Sequence, residues 1–155
     1  MKEQTIRLES LRQQAQAFET LAGSLYDYLD HGMPDEQQKL EAFTRISEYE
    51  HQAVMLKAQL SELLADLRAD VPHVVEEWAR WHMSICERIV AETAGAGPDS
   101  DGLISDAQVR NYVAGQTLGE WQKVLEGAQD FVVINHYYLR DYHRKVTTAV
   151  AMDHP

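Results

Sequence analysis

Hydrophobic residues recur at alternating steps of three and four positions along most of this chain. This spacing puts apolar side chains on one face of an α-helix and is typical of the seam between packed helices. The first such run predicts a helix over residues 3–31. Its seam positions are Leu8, Leu11, Ala15, Phe18, Ala22, Leu25 and Leu29.

A second run predicts a helix over residues 36–69. Between the two helices, Gly32 can take the left-handed conformation that ends a helix, and Pro34 cannot continue one. Asp35 is the expected N-cap of the second helix, since Gln38 follows with the spacing of a capping box. The short connection predicts a helical hairpin. The seam positions of the second helix are Ala42, Ile46, Tyr49, Ala53, Leu56, Leu60, Leu63 and Leu67.

The apolar pattern changes phase near Pro72, which predicts a third helix over residues 71–94. A proline suits a kink or the start of a new helix, and Asp70 is available as its cap. The segment 94–103 is rich in Gly, Pro, Asp and Ser and predicts a loop. The expected core positions of the third helix are Val71, Val74, Val75, Trp78, Trp81, Ile85 and Ile89.

Ser105 and Gln108 have the spacing of a capping box, so a fourth helix is expected to begin after Ser105. Its seam keeps one heptad phase to the end of the chain, which predicts a single helix over residues 106–152. Gly127 lies within this run, and a glycine inside a helix costs about 1 kcal/mol relative to alanine. A break near Gly127 is therefore the alternative.

These elements predict an all-α fold in a single domain, residues 1–155. At about 1.5 Å per residue, the fourth helix would be roughly 70 Å long and the first about 45 Å. Because these lengths differ, we expect an elongated antiparallel bundle or coiled coil of four main helices. The alternative is a compact bundle of four or five helices with the last helix broken near Gly127.

Composition narrows the classes of partner. The 155 residues carry a net charge of −11, which opposes binding to nucleic acid. No apolar stretch is long enough to cross a membrane, and the polar N-terminus lacks the pattern of a secretory signal, so we expect a cytoplasmic protein. One cysteine, Cys86, excludes a disulfide within the chain.

A segment near the C-terminus carries more apolar residues than its seam requires. A helix that is apolar on most sides must be covered by other helices or by another molecule. The sequence therefore predicts an oligomer or partner-binding patch at Phe131, Val133, Ile134, Tyr137 and Tyr138. Asn135 falls in the seam of this segment, where one polar residue can fix the register of a coiled coil.

Two further groups of residues are candidates for chemistry. Trp78, Trp81 and His82 form an aromatic cluster, which the periodicity assigns to the edge of a helical core. Glu48 and His51 have a Glu-x-x-His spacing that resembles that of di-iron helical bundles, but the heptad phase puts both on the outward side of the helix. We expect no metal and no cofactor.

No glycine-rich phosphate loop and no nucleophile paired with a base stands out in the sequence. We therefore expect a protein that is not an enzyme and that binds another protein, or itself as a homo-oligomer, through helical surface. An adaptor, a small acidic chaperone and an inhibitor are proteins of this type. The alternative is a helical bundle that binds a metal or a small ligand through Glu48, His51, His82 or His136.

Overall fold

The computed structural model describes residues 3–128 of the chain. This part is all-helical, as predicted, and contains four helices. They are α1 (Glu3–His31), α2 (Glu36–Asp70), α3 (Pro72–Glu92) and α4 (Asp106–Leu125). None of the described helices is both long and apolar enough to cross a membrane.

The described residues divide into two compact units, with the boundary between Val74 and Val75 in the first turn of α3. Unit one (residues 3–74) contains α1 and α2, and unit two (residues 75–128) contains most of α3 and all of α4. The predictions of one domain and of an elongated arrangement are not tested by this division, and they stay predictions.

In unit one, α1 and α2 form the predicted hairpin, and their backbones run close together. Eight of the fifteen predicted seam positions are buried, and the other seven are half-buried. The buried ones are Leu8, Ala15 and Ala22 of α1 and Ala42, Ile46, Ala53, Leu60 and Leu67 of α2. Several of these residues are alanines, whose small side chains allow two helix backbones to approach closely. Leu64, which lies off the predicted seam, is also fully buried.

The turn of the hairpin differs from the prediction at one residue. Met33, not Gly32, has the left-handed backbone, with φ 51°. Gly32 is needed for space, because a Cβ atom there would lie 2.5 Å from Cδ2 and 2.7 Å from the carbonyl oxygen of Tyr28. The capping box after the turn is confirmed, since Asp35 Oδ1 accepts a hydrogen bond from the Gln38 amide and the Gln38 side chain accepts one from the Asp35 amide.

At Pro72 the structure confirms a new helix but not its predicted cap. Asp70 is the last residue of α2, so it does not cap α3. Val71 lies between the helices with φ −141°, and its carbonyl accepts a hydrogen bond from the amide of Val74. Pro72 is then the first residue of α3, where its fixed φ suits a helix and its missing N–H leaves no donor unsatisfied.

Helix α3 follows the predicted core line only in its first half, where Val74, Val75 and Trp78 are buried as expected. Trp81 and Ile85 were also expected in the core but are 41% and 37% exposed, respectively. His82 and Cys86 are buried in their place. Both lines have helical spacing, so periodicity alone does not separate them. The contact of His82 and Trp78 with α4 decides between them.

The loop from residue 93 to residue 105 reverses the chain between α3 and α4. The Asp99 carboxylate organises it by accepting hydrogen bonds from the amides of Asp101 and Leu103. The predicted capping box of Ser105 and Gln108 then starts α4. Near this end, the Asn111 amide group donates to the Val90 carbonyl oxygen and the Thr93 hydroxyl, so the two helices run antiparallel within unit two.

The fourth helix ends earlier than one continuous helix over residues 106–152 requires. Its last residue is Leu125, and Gly127 has φ 105°, a conformation that L-residues rarely adopt and that cannot continue a right-handed helix. The seam phase persists through Gly127 in the sequence, but the backbone does not follow it. Within residues 3–128 the helix therefore ends next to Gly127, the position that the alternative predicted.

Candidate functional site

Four aromatic rings meet in unit two, three from α3 and one from α4. The His82 imidazole stacks on the Trp121 indole, with ring centroids 3.9 Å apart and an angle of 4° between the planes. Trp78 meets His82 at 5.7 Å and Trp121 at 4.8 Å, edge-on in both cases. Trp81 lies edge-on to His82 at 4.7 Å. The structure thus brings the predicted residues Trp78, Trp81 and His82 together and adds Trp121.

This aromatic cluster forms a packing contact between α3 and α4. Trp78, His82 and Trp121 are buried, and their ring faces and edges are used on one another. Aromatic pairs of this kind add about 0.5–1.5 kcal/mol each to the burial of their surface. Trp81 is the member that reaches solvent. The cluster therefore fixes the register of α3 against α4.

The sequence indicated Trp121 only as a seam position of the fourth helix. Its place beside His82 depends on how the loop from residue 93 to residue 105 sets the two helices against each other, and helical periodicity contains no such information. The one signal in the sequence was the expected antiparallel pairing of the third and fourth helices. Two antiparallel helices joined by one loop bring together residues that are equally far from that loop.

Cys86 follows His82 by one helical turn and is buried as well. Burial raises the pKa of the Cys86 thiol, because the thiolate loses solvation, and the neighbouring Glu87 carboxylate raises it further. A hydrogen bond with backbone lowers the pKa, by less than burial raises it but by more than the Glu87 carboxylate does. A thiol with a raised pKa is a poor nucleophile at neutral pH.

Glu48 and His51 are both exposed on α2, on the side that the heptad phase predicted. An inward-facing di-iron arrangement would need both side chains in the helical core. Within residues 3–128, no three His, Cys, Asp or Glu side chains are grouped so that they could hold a metal ion.

Helix α2 carries a row of exposed apolar side chains outside its buried seam, which we call the outer face of α2. Leu40 is 62% exposed, Phe43 56%, Val54 64% and Met55 46%. At about 100° per residue, they lie within roughly 60° of one line along the helix, opposite the buried seam. Three exposed glutamates lie on or beside this line: Glu36, Glu48 and Glu62.

Next to the outer face of α2, a slot of about 190 Å³ opens between α1 and α2. We call it the Glu19 slot. Its polar lining is Glu19, Tyr26 and Glu50, and its apolar lining is Ala22, Gly23, Ala53 and Val54, the last of which also belongs to the outer face of α2. Sequence analysis did not single out Glu19, because a glutamate beside the seam usually points to solvent.

The predicted partner patch (Phe131, Val133, Ile134, Tyr137 and Tyr138) lies outside the described residues. So do the register position Asn135 and the candidate ligand His136. These predictions stay predictions.

The described residues thus form a helical protein with a packed aromatic core in one unit and a hairpin with an exposed apolar row in the other. No family model, no curated protein and no solved structure matches the chain.

Proposed function

We propose that this protein is a non-catalytic interaction protein that binds a basic amphipathic helix of a partner protein along the outer face of α2. The observation that carries the proposal is the row formed by Leu40, Phe43, Val54 and Met55, each of which leaves about half or more of its surface exposed. Large apolar side chains exposed in a row are typical of a surface that another molecule covers.

The size of the row suits one helix of a partner. From Leu40 to Met55 it extends about 22 Å at the usual rise per residue, or roughly four turns. An amphipathic helix binds such a surface by apolar side chains at helical spacing on one of its faces. Burying one large apolar side chain contributes about 1.5–3 kcal/mol, so a few anchors suffice for specific binding.

Charge favours a basic partner over a second copy of this chain. If two α2 helices paired antiparallel through their outer faces, with Phe43 against Met55, then Glu36 would face Glu62 of the other copy at both ends. Like charges opposed in this way destabilise a complex, whereas Lys or Arg beside the anchors of a partner would meet these carboxylates.

We propose that the protein is of the adaptor, chaperone or inhibitor type and that it acts in the cytoplasm. A reduced, buried Cys86 is compatible with that compartment. Self-association through residues 131–138 is a separate prediction, because that segment is distinct from the outer face of α2.

The test is a calorimetric titration of the full chain with a synthetic helical peptide that has leucines on one face and lysines on both flanks. We expect saturable binding, and Phe43→Ser and Val54→Ser should each weaken it about tenfold or more, the equivalent of losing one buried anchor. The same peptide with glutamate in place of lysine should not bind.

Ile6→Ser is the matched control, because Ile6 of α1 is 55% exposed, nearly as much as Phe43, but lies off the outer face of α2. It should leave the affinity unchanged. Equal weakening by Ile6→Ser, or equal binding of the glutamate peptide, would show that the apolar row does not select a basic helix.

A further inference from the structure

The Glu19 slot contains a carboxylate oxygen that lacks a donor. Glu19 is buried, with its side chain only 7% exposed, and it forms an ion pair with Lys57 across the hairpin through Oε1. Its second oxygen, Oε2, is buried and has no hydrogen-bond partner. Leaving a buried charged acceptor unsatisfied is unfavourable, and native structures rarely do so without an occupant.

The slot is bounded by polar contacts at both ends. Glu19 pairs with Lys57, and seven residues further along α1, the Tyr26 hydroxyl donates to Glu50 Oε1 at 2.7 Å, seven residues earlier on α2. Between these contacts lie Ala22, Gly23 and Ala53, which leave the space open because their side chains are small or absent. The volume of about 190 Å³ is several times the ~30 Å³ that one water molecule occupies.

The charges around the slot select the sign of its occupant. The Glu19 and Glu50 carboxylates contribute two negative charges, and the Lys57 ammonium group contributes only one positive charge. A compensating occupant is therefore a cation that donates hydrogen bonds. A hard metal ion is disfavoured, because it needs six or more oxygen ligands and the Lys57 ammonium group would lie close to it.

We propose that the Glu19 slot binds a small primary alkylammonium ion. The N–H groups of such an ion donate to Glu19 Oε2 and to the Glu50 carboxylate, and its short alkyl chain lies on Ala22 and Ala53. Charge-assisted hydrogen bonds to a partly buried carboxylate are among the stronger polar contacts in proteins. This site adjoins the outer face of α2 at Val54, but neither proposal depends on the other.

The test follows backbone amide chemical shifts of the full chain by NMR while n-butylammonium chloride is added. Saturable shifts are expected at Ala22, Gly23 and Ala53. Tetramethylammonium chloride has the same charge without N–H donors and should produce no saturable shift there, and neither should magnesium chloride. Butylammonium that produces no saturable shift, or tetramethylammonium that binds equally well, would overturn the proposal.

Variants separate the slot from general acidity. Glu19→Gln should weaken butylammonium binding about tenfold or more, the size expected for a charge-assisted contact. Glu50→Gln changes an exposed side chain and tests the slot even if Glu19→Gln disturbs the hairpin; it should weaken binding several-fold. Glu48→Gln removes the same charge two residues away and should have no effect. Equal effects of Glu48→Gln and Glu50→Gln would show that butylammonium binds by nonspecific charge attraction and not in the slot.

Discussion

At Gly32, the backbone comes so close to Tyr28 that only a hydrogen atom fits in place of a side chain. The Gly32 amide donates to the Tyr28 carbonyl oxygen at 2.7 Å, and the Tyr28 ring covers the same side of the glycine. The backbone at Gly32 has no positive φ, so its role is steric. Met33 carries the left-handed conformation at the next position.

Gly32→Ala is expected to lower the free energy of unfolding by about 1–3 kcal/mol, since the new methyl group overpacks the turn. Chemical denaturation followed by circular dichroism measures the change. Gly97→Ala is the control, because no atom lies within 4 Å of a Cβ there, and it should stay within about 0.5 kcal/mol of the wild type. Equal stability of the two variants would contradict the close approach at Tyr28.

The aromatic cluster gives a second prediction at the scale of single residues. Trp121→Ala removes the ring on which His82 stacks and against which Trp78 packs, so we expect a loss of about 3–5 kcal/mol in the free energy of unfolding. Trp81→Ala removes a ring of the same size that is 41% exposed. It should lower the free energy of unfolding clearly less than Trp121→Ala does. Thermal and urea unfolding compare the two, and a larger loss for Trp81→Ala would exclude Trp121 as the centre of the cluster.

At the scale of elements, local chemistry was predictable wherever it depends on neighbouring residues. The capping boxes at Asp35 and Ser105 follow from spacings of three residues, and both are present. The core line of α3 did not follow from the sequence, because Trp81 and His82 are adjacent and each begins a line with helical spacing. Only the ring of Trp121, from another helix, distinguishes the two lines.

The candidate sites were harder to predict for the same reason. The outer face of α2 is visible in the periodicity once the seam is known, whereas the Glu19 slot depends on which α1 residues face Lys57 and Glu50. The register of α1 against α2 is set when the two helices pack, so the periodicity of either helix alone does not reveal it.

The end of α4 can be tested by the sign of the change in the free energy of unfolding on substitution of Gly127. Because Gly127 has φ 105°, Gly127→Ala should lower the free energy of unfolding by about 1–2 kcal/mol. In a helix continuous through residue 127, the same substitution would instead raise it by about 1 kcal/mol. Gly115→Ala is the matched control inside α4, with no atom within 4 Å of the new methyl group, and it should stabilise the protein by about 1 kcal/mol.

At the scale of the whole molecule, charge is the dominant property. The net charge of −11 and the pI near 5.0 surround the outer face of α2 with negative potential at neutral pH. Such a potential speeds the approach of a basic partner and slows that of an acidic one, and it helps to choose between partners that would fit the apolar row equally well.

Binding of the lysine-flanked peptide should therefore weaken as salt is added, mainly through a slower association rate. Raising sodium chloride from ~0.05 M to ~0.5 M shortens the screening length by about threefold, which should reduce the association rate severalfold. Stopped-flow mixing measures this rate. A rate that does not change with salt would indicate that the apolar row alone drives binding.

The turn at residues 32–35 has a consequence for the order in which unit one assembles. Closing a connection this short costs little chain entropy, whereas Tyr26 and Glu50, 24 residues apart, can meet only after the flanking helical turns have paired. The hairpin should thus form from the turn outward. Substitutions beside the turn should slow refolding, and those near Leu8 and Leu67 at the open end should mainly accelerate unfolding, which stopped-flow chevron plots can distinguish.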